Sequence, residues 1–244
     1  MKLFGILNVT PDSFSDGNQF LQEEKAVIHA KELSKNCYTV DIGAQSTRPN
    51  APLISYSEEI SRLGSVISEV SKFAKTSIDS FNFETQKFAV EQGVSYINDV
   101  CAFKNERILK FAPEDIKFIF MHHLTVPPTK TVSMKTQKQE MIAEIKQWAL
   151  KKLDDFSHIG VSKNRFIFDI GIGFGKSAEQ SLYLIENAEQ FLDLGIEIMV
   201  GHSRKSFMEI IKQGATMEER DKITQQITTD LTAKGIHYAR VHVV

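Results

Sequence analysis

The chain has 244 residues, of which 42% are hydrophobic and 25% charged, which is ordinary for a globular protein and enough for a sizeable core. Its 29 Lys and Arg against 31 Asp and Glu give a formal net charge of -2, which argues against a nucleic-acid-binding surface, because that needs a basic patch. Two cysteines, Cys37 and Cys101, are too few for a disulfide framework or a zinc site. We expect a soluble cytoplasmic protein, because the N-terminal run lacks a signal-peptide cleavage region and no apolar stretch is long enough for a bilayer.

Short runs of apolar and β-branched residues recur along the chain and predict eight β-strands, at 3–9, 38–42, 76–78, 95–97, 118–121, 165–170, 196–200 and 238–243. Helical spacing predicts helices between them at 23–33, 58–73, 85–92, 141–156 and 178–192, with Gly93, Gly160 and Gly195 where helices should end. The alternation predicts parallel strands in an α/β fold, and eight such units predict a closed (β/α)₈ TIM barrel that forms a single domain over 1–244. A doubly wound open sheet is the alternative, because periodicity alone cannot show closure.

Candidate functional residues stand at the end of every predicted strand. In chain order they are Asn8, Asp41, Asp79, Asn98 with Asp99, Met121 with His122, Asp169, then Ser203, Arg204 and Lys205, and finally Arg240 with His242. A TIM barrel builds its ligand site from these strand ends and the loops after them. For a single aspartate the plainer interpretation is a cap on the next helix. As a set, the carboxylates, amides and cations suit a small, flat, partly anionic ligand, and Asn8 could offer an oxygen to Mg²⁺.

Three further features have competing interpretations. The stretch DIGIGFGKS (169–177) ends in Gly-Lys-Ser, but a nucleotide-phosphate loop would need glycine where Ile170 stands. We therefore predict a strand end followed by a tight turn, with Lys176 and Ser177 beginning the next helix. His122 and His123 look like a metal pair, although neighbours on a strand point to opposite faces. The segments 10–22 and 44–57 are long enough to be functional loops, although their composition also suits plain turns.

Seven segments together resemble the dihydropteroate synthase family of folate biosynthesis. They are ILNVTPDSFSDG (6–17), DIGAQSTRP (41–49), SIDSF (77–81), INDV (97–100), DIGIGFGKS (169–177), GHSRKSF (201–207) and RVH (240–242). The resemblance implies a (β/α)₈ fold and a transferase that joins 6-hydroxymethyl-7,8-dihydropterin pyrophosphate to p-aminobenzoate and releases pyrophosphate. It also implies a sulfonamide target, and either a homodimer or association with another folate enzyme.

The resemblance assigns roles by matching position. It implies that Asp79, Asn98, Met121, Asp169, Lys205 and Arg240 bind the pterin. It implies that Asn8 binds the cofactor Mg²⁺ and contacts the pyrophosphate together with Arg240 and His242. It implies that Thr47, Arg48, Pro49, Phe174, Lys205 and Ser206 shape the p-aminobenzoate site. The catalytic residues it implies are Asp16, Lys205 and Arg240.

The chain also departs from the family pattern. Gln45 replaces a glutamate, Ile170 a proline, the segment 122–125 a glycine-containing turn, and Val243 an aspartate. The family continues beyond the equivalent of Val244 into an eighth helix, so we expect that helix to be missing and apolar surface to be exposed on the eighth strand and neighbouring helices. Two alternatives remain open: a methyltetrahydrofolate-dependent methyltransferase domain, and a non-catalytic pterin-binding protein that acts with a partner.

Overall fold

The computed structural model describes residues 1–10, 19–46, 52–126 and 133–242, and these contain a closed barrel of eight parallel strands in chain order. The strands are β1 Lys2–Asn8, β2 Thr39–Gly43, β3 Thr76–Asp79, β4 Tyr96–Asp99, β5 Lys117–Met121, β6 Phe166–Asp169, β7 Glu197–Val200 and β8 Tyr238–Val241. Pairing of β8 with β1, with Lys2 opposite Tyr238, closes the barrel. The predicted barrel is therefore confirmed, and the open sheet is excluded.

Nine helices surround the barrel within the described residues. They are α1 Gln19–Ser34, α2 Tyr56–Leu63, α3 Val66–Ser71, α4 Phe83–Glu91, α5 Arg107–Phe111, α6 Lys138–His158, α7 Ala178–Glu186, α8 Met208–Ile211 and α9 Met217–Ala233. None of these described helices is long and apolar enough to cross a membrane. Helix α9 was not predicted, because its buried residues are few and include a threonine, so its apolar stripe is narrow.

The predicted single helix over 58–73 is wrong. The chain breaks at Gly64, which has a φ of 47° and separates α2 from α3. This positive φ favours glycine, because side chains rarely adopt it, and the nearest atoms to a Cβ there would be those of the flexible Glu23 carboxylate of α1. The predicted helix over 178–192 is likewise divided, because α7 ends at Glu186 and a 3₁₀ helix follows at Ala188–Leu194.

The barrel wall separates two cores. Outside it, phenylalanines of β5 and β6 pack against α6, and Phe156 of that helix stacks on Phe166 with ring centres 4.5 Å apart. Inside it, a small apolar cluster fills the lower lumen, made of Phe4, Tyr96, Ile119, Ile167, Met199 and Tyr238. Side chains alternate between the two faces of a strand. The residues two positions further along the same strands therefore point into the upper lumen, and they are Ile6, Asn98, Met121, Asp169, Gly201 and Arg240.

The expectation of exposed apolar surface on the eighth strand is wrong for the described part of β8. Ala239 and Val241 point away from the lumen, yet they are only 0% and 1% exposed. The short side chain of Ala239 itself presents little surface to solvent. Several exposed apolar side chains lie on helices, for example Ile28 of α1 at 56%. Within the described residues no helix follows β8, and Val243 lies outside them.

The aromatic cluster between α6 and the barrel should contribute strongly to stability. Phe156 is fully buried, so Phe156→Ala should lower the free energy of unfolding by about 3 to 5 kcal/mol through lost burial and a residual cavity. Leu150 lies on the same helix but is 52% exposed, and Leu150→Ala should change that free energy by less than about 0.5 kcal/mol. Urea denaturation measures both, and equal losses for the two variants would contradict this packing.

Candidate active site

A pocket lies at the carboxyl ends of the strands, in the upper lumen of the barrel. Its volume is about 50 Å³, which is smaller than the usual small-molecule site. Eight predicted candidate residues line it: Asn98, Met121, Asp169, Phe174, Ser203, Lys205, Arg240 and His242. Ile6, Val100 and Gly201 also line it and were not predicted. The signal that could have identified Ile6 and Gly201 is their lumen-facing position in the strand alternation.

The guanidinium of Arg240 lies between two buried carboxylates. Its Nε donates to Asp41 Oδ2 and its Nη2 donates to Asp79 Oδ2, each at 2.5 Å. Asn98 Nδ2 also donates to Asp41 Oδ2, at 3.2 Å. Burial raises the pKa of Asp79 from its usual 3.8 to about 7, and the charge of Arg240 opposes that rise. Burial works against the charge on Arg240, but Asp79 and Asp41 hold its pKa above the usual value.

The two aspartates for which capping was an alternative differ in their surroundings. Asp41 is fully buried in the lumen and pairs with Arg240, so it is part of the site and not a helix cap. The signal in the sequence was the alternation of side chains along β2, which places Asp41 on the same face of the sheet as Phe4 of the neighbouring strand. Asp99 points out of the lumen, where Gln86 donates to one oxygen and the backbone N–H of Cys101 to the other, so it is structural.

Asp169 and Lys205 place opposite charges on one wall of the pocket. Lys205 Nζ donates to the carbonyl oxygen of Ile172 at 2.5 Å and lies 5.1 Å from the ring centre of Phe174. Burial raises the pKa of Asp169, and the charge of Lys205 opposes the rise. Burial lowers the pKa of Lys205 to about 8, and Asp169 opposes that fall. The wall therefore offers a ligand an acceptor and a donor side by side.

A buried lysine organises the tight turn after β6. Lys176 Nζ contacts the carbonyl oxygens of Gly171, His122 and Phe174 at 2.8, 3.3 and 3.3 Å, and it donates to His122 Nδ1 at 2.9 Å. Gly171 has a φ of 71°, and a Cβ there would lie 1.8 Å from the carbonyl oxygen of His122. Only glycine fits, so the turn is held against the end of β5.

This arrangement replaces two interpretations of the sequence. Lys176 is buried within the turn and does not begin the next helix, whereas Ser177 does cap α7, with its Oγ accepting from Gln180 N. The Nδ1 of His122 accepts a hydrogen bond from Lys176, so that atom is not available to a metal ion. Burial lowers the pKa of His122 to about 2, which keeps the ring neutral.

The remaining predicted site residues lie at the rim or outside the described residues. His242 meets Ser203, with its Nδ1 and the serine Oγ 3.1 Å apart. Asn8 is half-buried at the end of β1, and Ser206 is exposed after β7; neither lines the pocket described above. Four predicted residues lie outside the described residues: Asp16, Thr47, Arg48 and Pro49.

Known proteins resemble this chain over nearly its whole length. The family described as pterin binding enzyme matches residues 4–242. Dihydropteroate synthase of Synechocystis sp. is 34% identical over 245 residues, which cover 98% of this chain and 84% of that protein. A crystal structure of dihydropteroate synthase from Anaplasma phagocytophilum with bound 6-hydroxymethylpterin-monophosphate is 33% identical, with a TM-score of 0.89, and the match covers 99% of this chain and 93% of that one. The Xanthomonas albilineans dihydropteroate synthase in complex with 7,8-dihydropteroate is 27% identical, with a TM-score of 0.83 and coverage of 99% and 87%.

The free energy of unfolding should depend on the ionisation of Asp79. Because burial raises its pKa from 3.8 to about 7, the folded protein keeps a proton on this group at pH values where the unfolded chain has lost it. The contribution of Asp79 to the free energy of unfolding should therefore fall as pH rises between 3.8 and about 7. Asp79→Asn removes this contribution, so urea denaturation across that window should show the free energy of the variant falling less, or rising more, with pH than that of the wild type.

The matched control is Asp155→Asn, which changes an exposed carboxylate on α6. Its pH dependence should match that of the wild type. A wild-type slope in Asp79→Asn would contradict the raised pKa of Asp79.

Proposed function

The chain belongs to the family of pterin-binding enzymes, and on that premise we propose that it is a dihydropteroate synthase. It joins 6-hydroxymethyl-7,8-dihydropterin pyrophosphate to p-aminobenzoate and releases pyrophosphate. The observation that carries this proposal is the group of buried acceptors in the upper lumen, Asp79, Asn98 and Asp169, beside Lys205 and Arg240. The similar structures support it, since one holds 6-hydroxymethylpterin-monophosphate and another 7,8-dihydropteroate.

Recognition of the pterin follows from its hydrogen-bonding edge. The ring carries an amino group beside a ring N–H, and a carboxylate can accept from both. Asp169 and Asp79 are the carboxylates for such donors, while Asn98 offers both a donor and an acceptor. Lys205 donates to the acceptor atoms of the ring, and Met121 packs beside it.

Arg240 occupies Asp79 Oδ2 in this structure, and we expect the pterin to displace it there. The edge of the ring presents the same pair of donors that a guanidinium presents, so it can replace Arg240 Nη2 at that oxygen. The bond from Arg240 Nε to Asp41 keeps the arginine at the lumen wall. Its released plane then stacks on the face of the ring.

Asn8 fits Mg²⁺ only as part of a substrate complex. Among the described residues there is no group of three or more His, Cys, Asp or Glu that could hold a metal ion. Mg²⁺ binds readily through one or two protein oxygens, substrate phosphates and waters, so the single amide oxygen of Asn8 suits an ion that arrives with the pyrophosphate. When bound there, the ion would neutralise charge on the leaving pyrophosphate.

The reaction requires positioning and charge stabilisation, and no covalent enzyme intermediate. The amine nitrogen of p-aminobenzoate attacks the methylene carbon of the pterin, the bond from that carbon to the pyrophosphate oxygen breaks, and the nitrogen loses a proton. Arg240 and His242 face the departing pyrophosphate, and their donors stabilise its charge. Phe174 and Lys205 border the second substrate, with Ser206 at the rim. Asp16 stabilises positive charge on the pterin, and Thr47, Arg48 and Pro49 complete the p-aminobenzoate site.

Turnover tests the proposed function directly. Purified protein supplied with Mg²⁺, the pterin pyrophosphate and p-aminobenzoate should release pyrophosphate, measured by a coupled phosphate assay. Chelation of the divalent ion by EDTA should stop the release, while binding of 6-hydroxymethylpterin, which has no phosphate, should persist. Pterin binding without turnover under all conditions would refute the synthase and favour a non-catalytic pterin-binding protein.

The binding of 6-hydroxymethylpterin to Asp79→Ala tests the assignment of Asp79 to the pterin site. This variant should bind the pterin about ten- to 150-fold more weakly, because a charge-assisted hydrogen bond of about 1.5 to 3 kcal/mol is removed from a buried site. The control is Asp154→Ala, which removes an exposed carboxylate from α6 and should bind the pterin as the wild type does. Unchanged affinity in a folded Asp79→Ala protein would exclude Asp79 from the pterin site.

A further inference from the structure

The loop between β7 and α8 contains a residue in an unfavourable conformation next to Lys205. Arg204 has a φ of 57°, in the left-handed region that side chains other than glycine rarely adopt. Such strain persists only where the surrounding structure holds it in place. The left-handed turn at Arg204 sets the direction from which Lys205 enters the pocket.

Asp221 of α9 forms an ion pair with the side chain of Arg204. Arg204 Nε lies 2.7 Å from Asp221 Oδ1, and its Nη2 lies 2.9 Å from Oδ2, so the pair is bidentate. Both side chains are mostly buried, at 28% and 20% exposed, and the planar fork fixes orientation as well as distance. This ion pair is therefore suited to holding one backbone conformation.

Further contacts show that α9 anchors the whole loop. His202 Nε2 lies 3.2 Å from the carbonyl oxygen of Thr224 and 3.0 Å from Thr228 Oγ1. Arg220 Nη1 donates to the carbonyl oxygen of Lys205 at 3.3 Å. Together with Asp221, these contacts mean that α9 holds positions 202, 204 and 205 of the loop. The side chain of Lys205 is not part of these contacts and lines the pocket.

We propose that Arg204 and Asp221 are a positioning pair, whose ion pair holds the left-handed turn that directs Lys205 towards Asp169 and the ligand. Neither residue lines the pocket, so both act on the pterin only through Lys205. The proposal deepens the function proposed above and rests on it for its binding readout.

Binding of 6-hydroxymethylpterin to four proteins tests the pair: wild type, Asp221→Ala, Lys205→Ala and the double variant. Asp221→Ala should weaken binding by about tenfold, since a residue that acts through a neighbour is coupled to it. The double variant should bind the pterin as tightly as Lys205→Ala does, because the turn can no longer affect binding once the side chain of Lys205 is gone. Equal fold-losses from Asp221→Ala in both backgrounds would mean a general structural role and would overturn the proposal.

Two more variants separate the ion pair from the fold. Arg204→Ala removes the ion pair but keeps the backbone strain, whereas Arg204→Gly removes both. The Arg204→Gly protein should therefore bind the pterin more tightly than the Arg204→Ala protein. Asp230→Ala removes another carboxylate from α9 and should bind as the wild type does. Equal affinities for Arg204→Gly and Arg204→Ala would overturn the proposal even if Asp221→Ala fails to fold. A wild type that binds no pterin would overturn the proposed function as well, whereas a wild type that binds while Asp221→Ala binds equally would overturn the pair alone.

Discussion

The ion pairs of Arg240 with Asp41 and Asp79 are the interaction on which the upper lumen depends. Buried charges cost free energy unless they are paired, and these groups lie on β8, β2 and β3. Only a closed barrel brings β8 across the lumen to β2 and β3 in this way. Closure of the sheet and assembly of the site are therefore the same event, and losing one partner would leave an uncompensated charge in the lumen.

The site is specified from outside the lumen as much as from within it. Lys176 links the turn after β6 to the end of β5 through hydrogen bonds. This turn contains Phe174 and the carbonyl oxygen of Ile172 that accepts from Lys205. On the other side, α9 fixes the loop after β7. Both supports are polar contacts at loop positions, so the loops after β6 and β7 are anchored from outside the lumen.

The sequence predicts the strands well because alternation and polar ends mark each of them, and the resulting register brings Asn98, Asp169 and Arg240 together in the lumen. It fails where long-range contacts decide. Gly64 breaks a helix where Ser65 donates to the carboxylate of Glu23 on the distant helix α1, and α9 is missed because it buries only a narrow apolar stripe. Asp41 was a candidate from the sequence, but its pairing with Arg240 and the enclosure of Lys176 were not predicted, for a related reason. A local pattern cannot show that a carboxylate faces a guanidinium from a distant strand, or that a lysine is enclosed by carbonyl groups.

The most direct measurement is a crystal structure of this protein with 6-hydroxymethylpterin-monophosphate. We expect the ring edge on Asp79, Asn98 and Asp169, Arg240 still bonded through Nε to Asp41, and its bond to Asp79 replaced by a bond from the pterin. A pterin bound elsewhere, with the Arg240 to Asp79 ion pair intact, would contradict the assignment of the upper lumen as the pterin site.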